Sequence, residues 1–270
     1  MLILELARRF WTKGLPDLGA QVAFYLILAF FPFLMLLLHL LALTPLADVE
    51  LLLSQSWILP ETTYLLVVSV AEELTTGTNL TLVSLSVLIS VWIASRGMLS
   101  LEKAVNVSFG ITKGRPLLLK LLFSMVFTVV LLMAIQISFV GLVLGQTIGS
   151  ALVESLELPD YFLPLWNLIR YAVSLFFMVM VVTILYMGLP HKPLRMGQVL
   201  PGALLTTAGW VLISQLFSSY VNRFAHYSYI YGSLGAVVGL ILWLYLCAMV
   251  FLLGAELDAL LLDRKKRMGR

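Results

Sequence analysis

Six long stretches of the chain are apolar and almost free of charge. They cover residues 18–47, 79–95, 121–153, 165–189, 201–222 and 230–255. A bilayer interior penalises charge and unpaired backbone groups, so a single segment crosses it as a helix. Because about 20 apolar residues make one helical crossing, the sequence predicts an all-α membrane protein with six transmembrane helices. Residues 1–270 are expected to form a single membrane domain.

The overall composition narrows the class of protein further. The chain has 270 residues, of which 61% are hydrophobic and 11% are charged, whereas soluble domains are about 45–50% apolar and about 25% charged. This composition excludes an ordinary soluble enzyme and a disordered chain. The lone Cys247 lies in an apolar run and cannot form an internal disulfide, so it carries no redox information.

Lys and Arg are distributed unevenly between the two sides of the predicted bundle. Of the 17 basic residues, only Arg170 and Arg223 fall on the side opposite the termini. Short loops rich in Lys and Arg stay in the cytoplasm, so both termini are predicted to be cytoplasmic. The basic tail at residues 256–270 is explained by this topology and by anionic lipid. No nucleic-acid partner is expected.

Two segments outside the spans are expected to contain surface helices. In residues 1–16, the polar residues Glu5, Arg8 and Arg9 recur at helical spacing and leave an apolar face, a pattern typical of a helix lying on the inner leaflet. A plain extension of the first span is the open alternative. The first outer loop, residues 48–78, has apolar residues between acidic ones and predicts short amphipathic helices.

The inventory of catalytic groups is poor. His39, His191 and His226 fall in the first span, an inner loop and an outer loop, so this topology keeps them from sharing one metal. The sequence contains no HExxH, CxxC or GxSxG motif and no phosphate-binding glycine loop. We therefore expect no catalytic residue, no metal and no cofactor.

The most informative polar residues are those that a lipid-facing helix would avoid. Arg170 lies near the start of the fourth span and Arg223 ends the fifth, so the two could form an anion site for a phosphate or carboxylate group. Snorkelling to outer-leaflet phosphates is the alternative. Four amides inside spans are expected to face the bundle interior, where they could line a polar path for a substrate: Gln21, Gln136, Gln146 and Gln215.

Glycines mark two helix faces. One set repeats every four residues in the third span and the other lies early in the last span: Gly141, Gly145 and Gly149, then Gly232, Gly235 and Gly239. Such faces let helices approach closely. We expect packing within the chain rather than a dimer interface. A last span that bends at its glycines is an open alternative.

The inner face carries a polar elbow between spans two and three, formed by Arg96, Glu102, Lys103 and Asn106. Glu256 ends the last span on the same side. Because acids at span ends usually face headgroups or pair with nearby bases, we predict a salt link between Glu256 and this elbow. The Glu256 carboxylate is then expected to have a structural role.

Four stretches of sequence resemble the YihY/BrkB family of bacterial inner-membrane proteins, once labelled ribonuclease BN. They are AQVAFYLILAFFPFL at 20–34, LEKAVNVSFGITKGRP at 101–116, LPHKPLRMGQVLPGALL at 189–205 and YGSLGAVVGLILWLYLCAMVFLLGAEL at 231–257. The resemblance implies a multi-pass, six-span protein of the bacterial inner membrane. The family's links to serum resistance and lipopolysaccharide export favour the handling of a lipid or other amphiphile. Its nuclease label looks like a misassignment, because no acidic or histidine cluster here is typical of a metal nuclease.

Three functions are consistent with these features. The first is a transporter or translocator, not driven by ATP, that moves a lipid or another amphiphilic or anionic substrate in envelope biogenesis. The second is a scaffold without transport, which would bind envelope proteins or a second copy of the chain. The third is a membrane-embedded enzyme that modifies lipid, which would need Glu102, Glu256 and His191 to converge. Membrane lipids are expected partners in each case.

Overall fold

In the part of the chain that the computed structural model describes, every regular element is a helix. This part comprises residues 2–42, 80–112, 115–116, 118–130, 149, 153, 155, 159, 162–224 and 228–268. Its helices are α1 (Leu2–Thr12), α2 (Leu15–Ala42), α3 (Leu80–Ser108), α4 (Leu118–Val130), α5 (Phe162–Gly188), α6 (Met196–Phe224) and α7 (Ser228–Met268). The all-α fold class is thereby confirmed for these residues.

Three helical segments in this part of the chain are long and apolar enough to cross a membrane. They are Phe162–Gly188, Met196–Ser219 and Val238–Met268. Leu15–Ala29 and Leu118–Val130 are apolar but shorter. Six spans and cytoplasmic termini therefore stay predictions. The outer loop at 48–78, and residues 131–148 of the third predicted span, lie outside the described residues.

The chain forms two compact units. One contains Met1–Tyr25 with Ser95–Arg270, and the other contains Leu26–Ala94. In the described residues, the second unit holds the later part of α2 and the first part of α3. The first unit holds α1, α4, α5, α6 and α7 together with the start of α2 and the end of α3. It contains the polar clusters of the candidate site.

A tight turn separates α1 from α2. The N–H of Lys13 donates to the carbonyl of Arg9 at 3.0 Å, and the N–H of Gly14 donates to Trp11 at 3.1 Å. Gly14 has φ of +64°, a backbone conformation that costs glycine little and other residues more. Leu6 and Phe10 are buried where α1 packs on α7. The first helix is therefore a separate element held against the last one.

The hydrophobic core of the first unit lies where the end of α3, the end of α5, the start of α6 and the later part of α7 meet. Fully buried members of this core are Val105, Tyr186, Leu189, Val199, Ala203, Leu252 and Ala255. Towards the middle of α5, by contrast, Phe176, Val173 and Leu168 are exposed. An apolar helix surface left uncovered in this way is typical of contact with lipid tails.

The predicted elbow between spans two and three is wrong as a description of the backbone. α3 continues without a break from Leu80 to Ser108, so Arg96, Glu102 and Asn106 lie on one helix. Charge ends the apolar stretch at Arg96, but it does not interrupt the hydrogen bonds of a helix, and Arg, Glu and Lys are good helix formers. The chain leaves the helix only after Ser108, where the N–H of Ile111 donates to the carbonyl of Asn106 at 2.9 Å.

Candidate functional site: a polar core at one end of the helices and a groove beside them

An ion pair with a buried carboxylate joins the start of the chain to its last helix. Lys13 Nζ lies 2.7 Å from Glu256 Oε1 and 2.8 Å from Glu256 Oε2, and Glu256 is completely buried. Lys13 also donates to the carbonyl of Ser108 at 2.6 Å. Arg9 lies 3.9 Å from the same carboxylate. The predicted link between Glu256 and the basic residues of α3 is therefore wrong, because the bases nearest to Glu256 come from α1 and the turn after it.

Two further ion pairs hold α1 to α7. Arg9 donates to Asp263 at 2.8 Å, and Arg264 donates to Glu5 at 2.5 Å. The hydrogen bond from Arg264 lowers the pKa of Glu5 below 4.5, although desolvation opposes it. The hydrogen bond to Asp263 raises the pKa of Arg9. The N-terminal helix thus pairs its own charges with those of the last helix.

A carboxylate and an imidazole meet between α3 and the loop after α5. Glu102 is almost fully buried, and its Oε1 lies 2.5 Å from His191 Nε2. The backbone N–H of His191 donates to Asn106 Oδ1 at 3.0 Å. Arg115 lies 4.0 Å from the same Glu102 oxygen and donates to the carbonyl of Gly188 at 3.2 Å. Of the three residues that an enzyme would need together, the structure joins Glu102 and His191 and places Glu256 in the separate pair with Lys13.

Hydroxyl groups connect α5, α6 and α7 inside the core. Tyr186 is completely buried. Its hydroxyl lies 2.7 Å from Thr206 Oγ1 and donates to the carbonyl of Phe251 at 2.5 Å. Thr206 is in turn 3.4 Å from the carbonyl of Val250. These contacts join the three helices at one position along their length.

α6 and α7 cross at two glycines. A side chain at Gly202 would collide with Asp258 Oδ2 and with the carbonyl oxygen of Gly254, and a side chain at Gly254 would collide with Thr206 and with the carbonyl of Gly202. Asp258 is fully buried, and its Oδ1 accepts the backbone N–H of Gly202 at 2.7 Å. The absence of both Cβ atoms is what lets these backbones touch.

A cavity of about 380 Å³ opens on the side of the bundle between α5 and α6. Its lining residues are Met178, Trp210, Val211, Ser214, Gln215 and Ser218. We call this the α5–α6 groove. Trp243 of α7 donates to Ser214 Oγ at 3.3 Å, so the groove is connected to the last helix. The groove offers apolar surface with hydroxyl and amide groups beside it, on segments long enough to span a membrane.

The predicted substrate residues are distributed as follows. Arg170 is half-buried on α5, with its guanidinium 5.3 Å from the centre of the Tyr171 ring. The backbone of Arg223 lies in the last turn of α6, and its side chain is outside the described residues. Pairing of these two arginines stays a prediction.

Two of the four amides lie on the surface. Gln21 on α2 and Gln215 on α6 are exposed, so the expectation that they face the bundle interior is wrong. The close contacts inside are made instead by glycines and hydroxyls, which need less room than an amide side chain. Gln215 lines the α5–α6 groove. Gln136 and Gln146 lie outside the described residues.

Of the predicted glycine faces, Gly149 and Gly239 have described surroundings. Gly149 is buried against the indole of Trp166, and Gly239 lies against the ring of Phe217. Both contacts are made within one chain. Gly141 and Gly145 are outside the described residues, and for Gly232 and Gly235 the backbone is described as part of α7.

Several residues of the polar core are absent from the sequence-based site. They are Lys13, Arg115, Tyr186, Gly202, Thr206, Gly254 and Asp258. One sequence signal could have found four of them. Gly202 and Thr206 are four residues apart, as are Gly254 and Asp258, so each pair places a glycine and a polar group on one helix face. No group of three or more His, Cys, Asp and Glu side chains suitable for a metal occurs among the residues with described positions.

The apolar helices and the polar core define a helical integral membrane protein, and comparison with known proteins gives its family. A family model described as Virulence factor BrkB matches residues 6–269. YfkH of Bacillus subtilis (strain 168), described as ribonuclease-like, is 33% identical over 262 residues, which are 97% of this chain and 95% of YfkH. The chain belongs to the BrkB family, as its resemblance indicates.

More distant relatives share a shorter segment. The UPF0761 membrane protein VV0203 of Vibrio vulnificus (strain YJ016) is 35% identical over 81 residues, or 30% of this chain and 26% of that protein. The UPF0761 membrane protein PBPRA3489 of Photobacterium profundum is 37% identical over 82 residues, or 30% of this chain and 26% of that protein. No solved structure matches the chain.

Proposed function

We propose that this BrkB-family protein moves a lipid or other amphiphile across the bacterial inner membrane without ATP and without converting it chemically. In this proposal the chain crosses the membrane six times and has both termini in the cytoplasm. The observation that carries the proposal is the α5–α6 groove, whose lining combines apolar side chains with hydroxyl and amide groups.

The groove suits an amphiphile in size and chemistry. Its volume of about 380 Å³ falls within the usual range for small-molecule sites, about 300–1,000 Å³. Trp210 and Val211 offer apolar surface to an acyl chain, while Gln215 and Ser218 offer hydrogen bonds to a headgroup. Polar groups that face hydrocarbon without a partner cost free energy, so a headgroup passing along α6 would stabilise these exposed polar side chains.

The charge distribution supports the proposed orientation. Arg9 and Lys13 lie beside the later part of α7, and the same end of α7 carries Lys265, Lys266 and Arg267 in its last turn. A basic end of this kind is attracted to the anionic cytoplasmic leaflet. An anionic or zwitterionic headgroup would approach the bundle from that side.

Lipid movement in reconstituted vesicles tests the proposal. The purified protein is placed in vesicles of mixed zwitterionic and anionic phospholipid with a fluorescent lipid, and the exchange of that lipid between leaflets is followed by quenching from outside. The test variant is the double substitution Gln215→Leu with Ser218→Ala, which removes polar groups from the groove. The matched control is Leu212→Ala with Leu216→Ala, since both leucines are exposed on α6 and neither lines the groove.

We expect the wild type and the control to accelerate lipid exchange, and the groove variant to slow it about tenfold, as expected for two lost hydrogen bonds of about 0.7 kcal/mol each. Exchange no faster than in empty vesicles would contradict the transport proposal. That result would instead favour the scaffold function, in which the protein binds envelope proteins without transport. Equal rates in the two double variants would contradict the role of the groove.

The contact between Glu102 and His191 favours a second candidate, an enzyme acting on membrane lipid. A carboxylate hydrogen-bonded to an imidazole is an arrangement that general acid–base catalysis uses. The ribonuclease-like description of YfkH adds RNA as a second substrate to test. Incubation of the protein with each substrate, followed by mass spectrometry of the products, separates this candidate from transport, because a carrier releases its substrate unchanged.

A further inference from the structure

Asp258 is a buried acid that forms no ion pair with the basic residues whose side chains the structure describes. The residue is fully buried on α7, and its Oδ1 accepts the N–H of Gly202 at 2.7 Å. Its Oδ2 has no hydrogen-bond donor among the residues whose side chains are described. The ion pairs of the described residues are formed by other acids, namely Glu5, Glu102, Glu256 and Asp263. An isolated ionised carboxylate in such a place is strongly unfavourable.

Asp258 Oδ2 and a backbone carbonyl oxygen lie on the same side of Gly202. Asp258 Oδ2 and the carbonyl oxygen of Gly254 both press against the same side of Gly202, at the position a Cβ would occupy. At Gly254, the corresponding position is approached by Thr206 Oγ1, the Tyr186 hydroxyl and the carbonyl oxygen of Gly202. Two oxygen acceptors repel one another unless a proton lies between them. A protonated carboxyl group gains a donor, and the Gly254 carbonyl oxygen is the acceptor that shares this side of Gly202 with Oδ2.

We propose that the α6–α7 crossing is a proton-binding site, in which Asp258 Oδ2 carries the proton and Gly254 accepts its hydrogen bond. When the proton leaves, an unpaired carboxylate faces carbonyl oxygens at the closest contact of the two helices. The crossing at Gly202 and Gly254 must then loosen or admit water. Proton binding at Asp258 thereby sets how tightly α7 is held against α6.

Among the described residues, the other ionisable groups near this crossing are uncharged or already paired with another group. The hydroxyl of Tyr186 on α5 lies close to Gly254. It is hydrogen-bonded to Thr206 and to the carbonyl of Phe251. α6 contributes Gly202 and Thr206, which carry no charge. The α1 bases Arg9 and Lys13 pair with Asp263 and Glu256, and on α3 Glu102 contacts His191. The proton is therefore assigned to Asp258 itself.

Infrared spectroscopy of the full-length protein in detergent tests the assignment directly. We expect the wild type at neutral pH to show the carbonyl stretch of a protonated carboxyl group, which shifts on exchange into heavy water. The band should be absent from Asp258→Asn, whose amide keeps the shape and a donor for Gly254. It should persist in the control Asp263→Asn, which also loses one carboxylate. A wild type without the band, or Asp258→Asn with it, would overturn the proposal.

Isotope labelling keeps this test independent of folding in the variant. If Asp258→Asn does not fold, ¹³C in the aspartate carboxyl groups of the wild type is expected to shift the band, while ¹³C in the glutamate carboxyl groups is not. The opposite pattern would overturn the assignment to an aspartate.

The pH dependence of unfolding supplies a second readout. At neutral pH the folded protein holds a proton that an aspartate in the unfolded chain has already released, since such a group titrates at about pH 4. The unfolding temperature of the wild type should therefore fall as pH rises. Asp258→Asn should show a smaller fall. Sodium chloride and potassium chloride of equal strength should act alike. A stabilisation by sodium alone that Asp258→Asn abolishes would overturn the proposal, because it would indicate a metal ion in place of the proton.

Coupling of this site to substrate movement rests on the proposed function. In vesicles, we expect a pH gradient to accelerate lipid exchange by the wild type several-fold and to leave Asp258→Asn unaffected. The carboxyl band with no lipid exchange at all would contradict the proposed function and leave the proton site standing. Lipid exchange without the band would contradict the proton site and leave the proposed function standing.

Discussion

Lys13 binds both carboxylate oxygens of Glu256, at 2.7 and 2.8 Å, and so joins residues that are 243 positions apart. Glu256 is completely buried and Lys13 is about one-quarter exposed. Replacing Glu256 with Gln leaves the ammonium without its counter-charge. We expect a loss of about 2–3 kcal/mol in the free energy of unfolding, as for hydrogen bonds between charged groups.

A double-mutant cycle measures this ion pair in detergent. Lys13→Met combined with Glu256→Met should cost less than the sum of the two single substitutions, because it leaves no charge unpaired. Additive effects would contradict a direct ion pair. A stable Glu256→Gln protein that no longer moves lipid would indicate that the carboxylate takes part in transport and not only in structure.

The contact between α6 and α7 predicts opposite effects for two kinds of glycine substitution. Gly202→Ala and Gly254→Ala place a methyl group against backbone oxygens, so each should lower the free energy of unfolding by about 1–3 kcal/mol. Gly197→Ala is the control on the same helix, because nothing lies within 4 Å of its added methyl group. Alanine favours a helix over glycine, so this control should be neutral or slightly stabilising in a thermal unfolding measurement. Equal losses in all three variants would contradict the close crossing.

The sequence predicts more of the fold than of the site. The apolar stretch at 165–189, which contains Arg170, predicts α5 (Phe162–Gly188) closely, because charge and apolar length reflect the bilayer directly. The pairing of Lys13 with Glu256 could not be predicted in this way. It depends on the turn at Gly14, which places α1 against α7. The predicted position of Gln215 is wrong for a related reason. An apolar helix has no strong hydrophobic face, so its sequence does not show which side faces the protein.

The contact between Glu102 and His191 predicts different effects for two substitutions of the acid. Glu102→Ala removes the partner of the His191 ring and opens a buried space, so it should lower the free energy of unfolding by about 1–3 kcal/mol. Glu102→Gln keeps an oxygen and the shape of the side chain, and it should cost less. Thermal unfolding in detergent compares the two.

Activity assays then decide what the Glu102–His191 contact does. If the contact joins α3 to the loop after α5 and nothing more, His191→Gln should move lipid at the wild-type rate. Loss of a detectable reaction product in His191→Gln, with unchanged stability, would instead support the enzyme.

The salt link between Glu5 and Arg264 predicts that acid loosens the N-terminal helix. Its hydrogen bond lowers the pKa of Glu5 below 4.5 in the folded protein. The stabilisation is therefore fully present above pH 4.5 and is lost as pH falls through the lowered value. A nitroxide at the exposed position of Ala7, attached to Ala7→Cys in a Cys247→Ser background, should become more mobile over that range. In Glu5→Gln it should be mobile at every pH, and an acid response of the same size in that variant would contradict the link.

The outer face of α1 predicts where this helix lies. Leu4 and Trp11 share one face of α1 and are exposed by 76% and 70%, while Leu6 and Phe10, about 100–160° away around the helix, are buried. An apolar face left uncovered beside a basic cluster is typical of a helix in the headgroup region. Nitroxides at Trp11→Cys and Thr12→Cys, again with Cys247→Ser, compare two adjacent exposed positions that point about 100° apart. In vesicles, position 11 should be more accessible to oxygen, which concentrates in lipid, and position 12 to a water-soluble nickel complex. High nickel access at both positions would contradict an interfacial helix, whereas exclusion of both reagents from position 11 would show that protein covers this face.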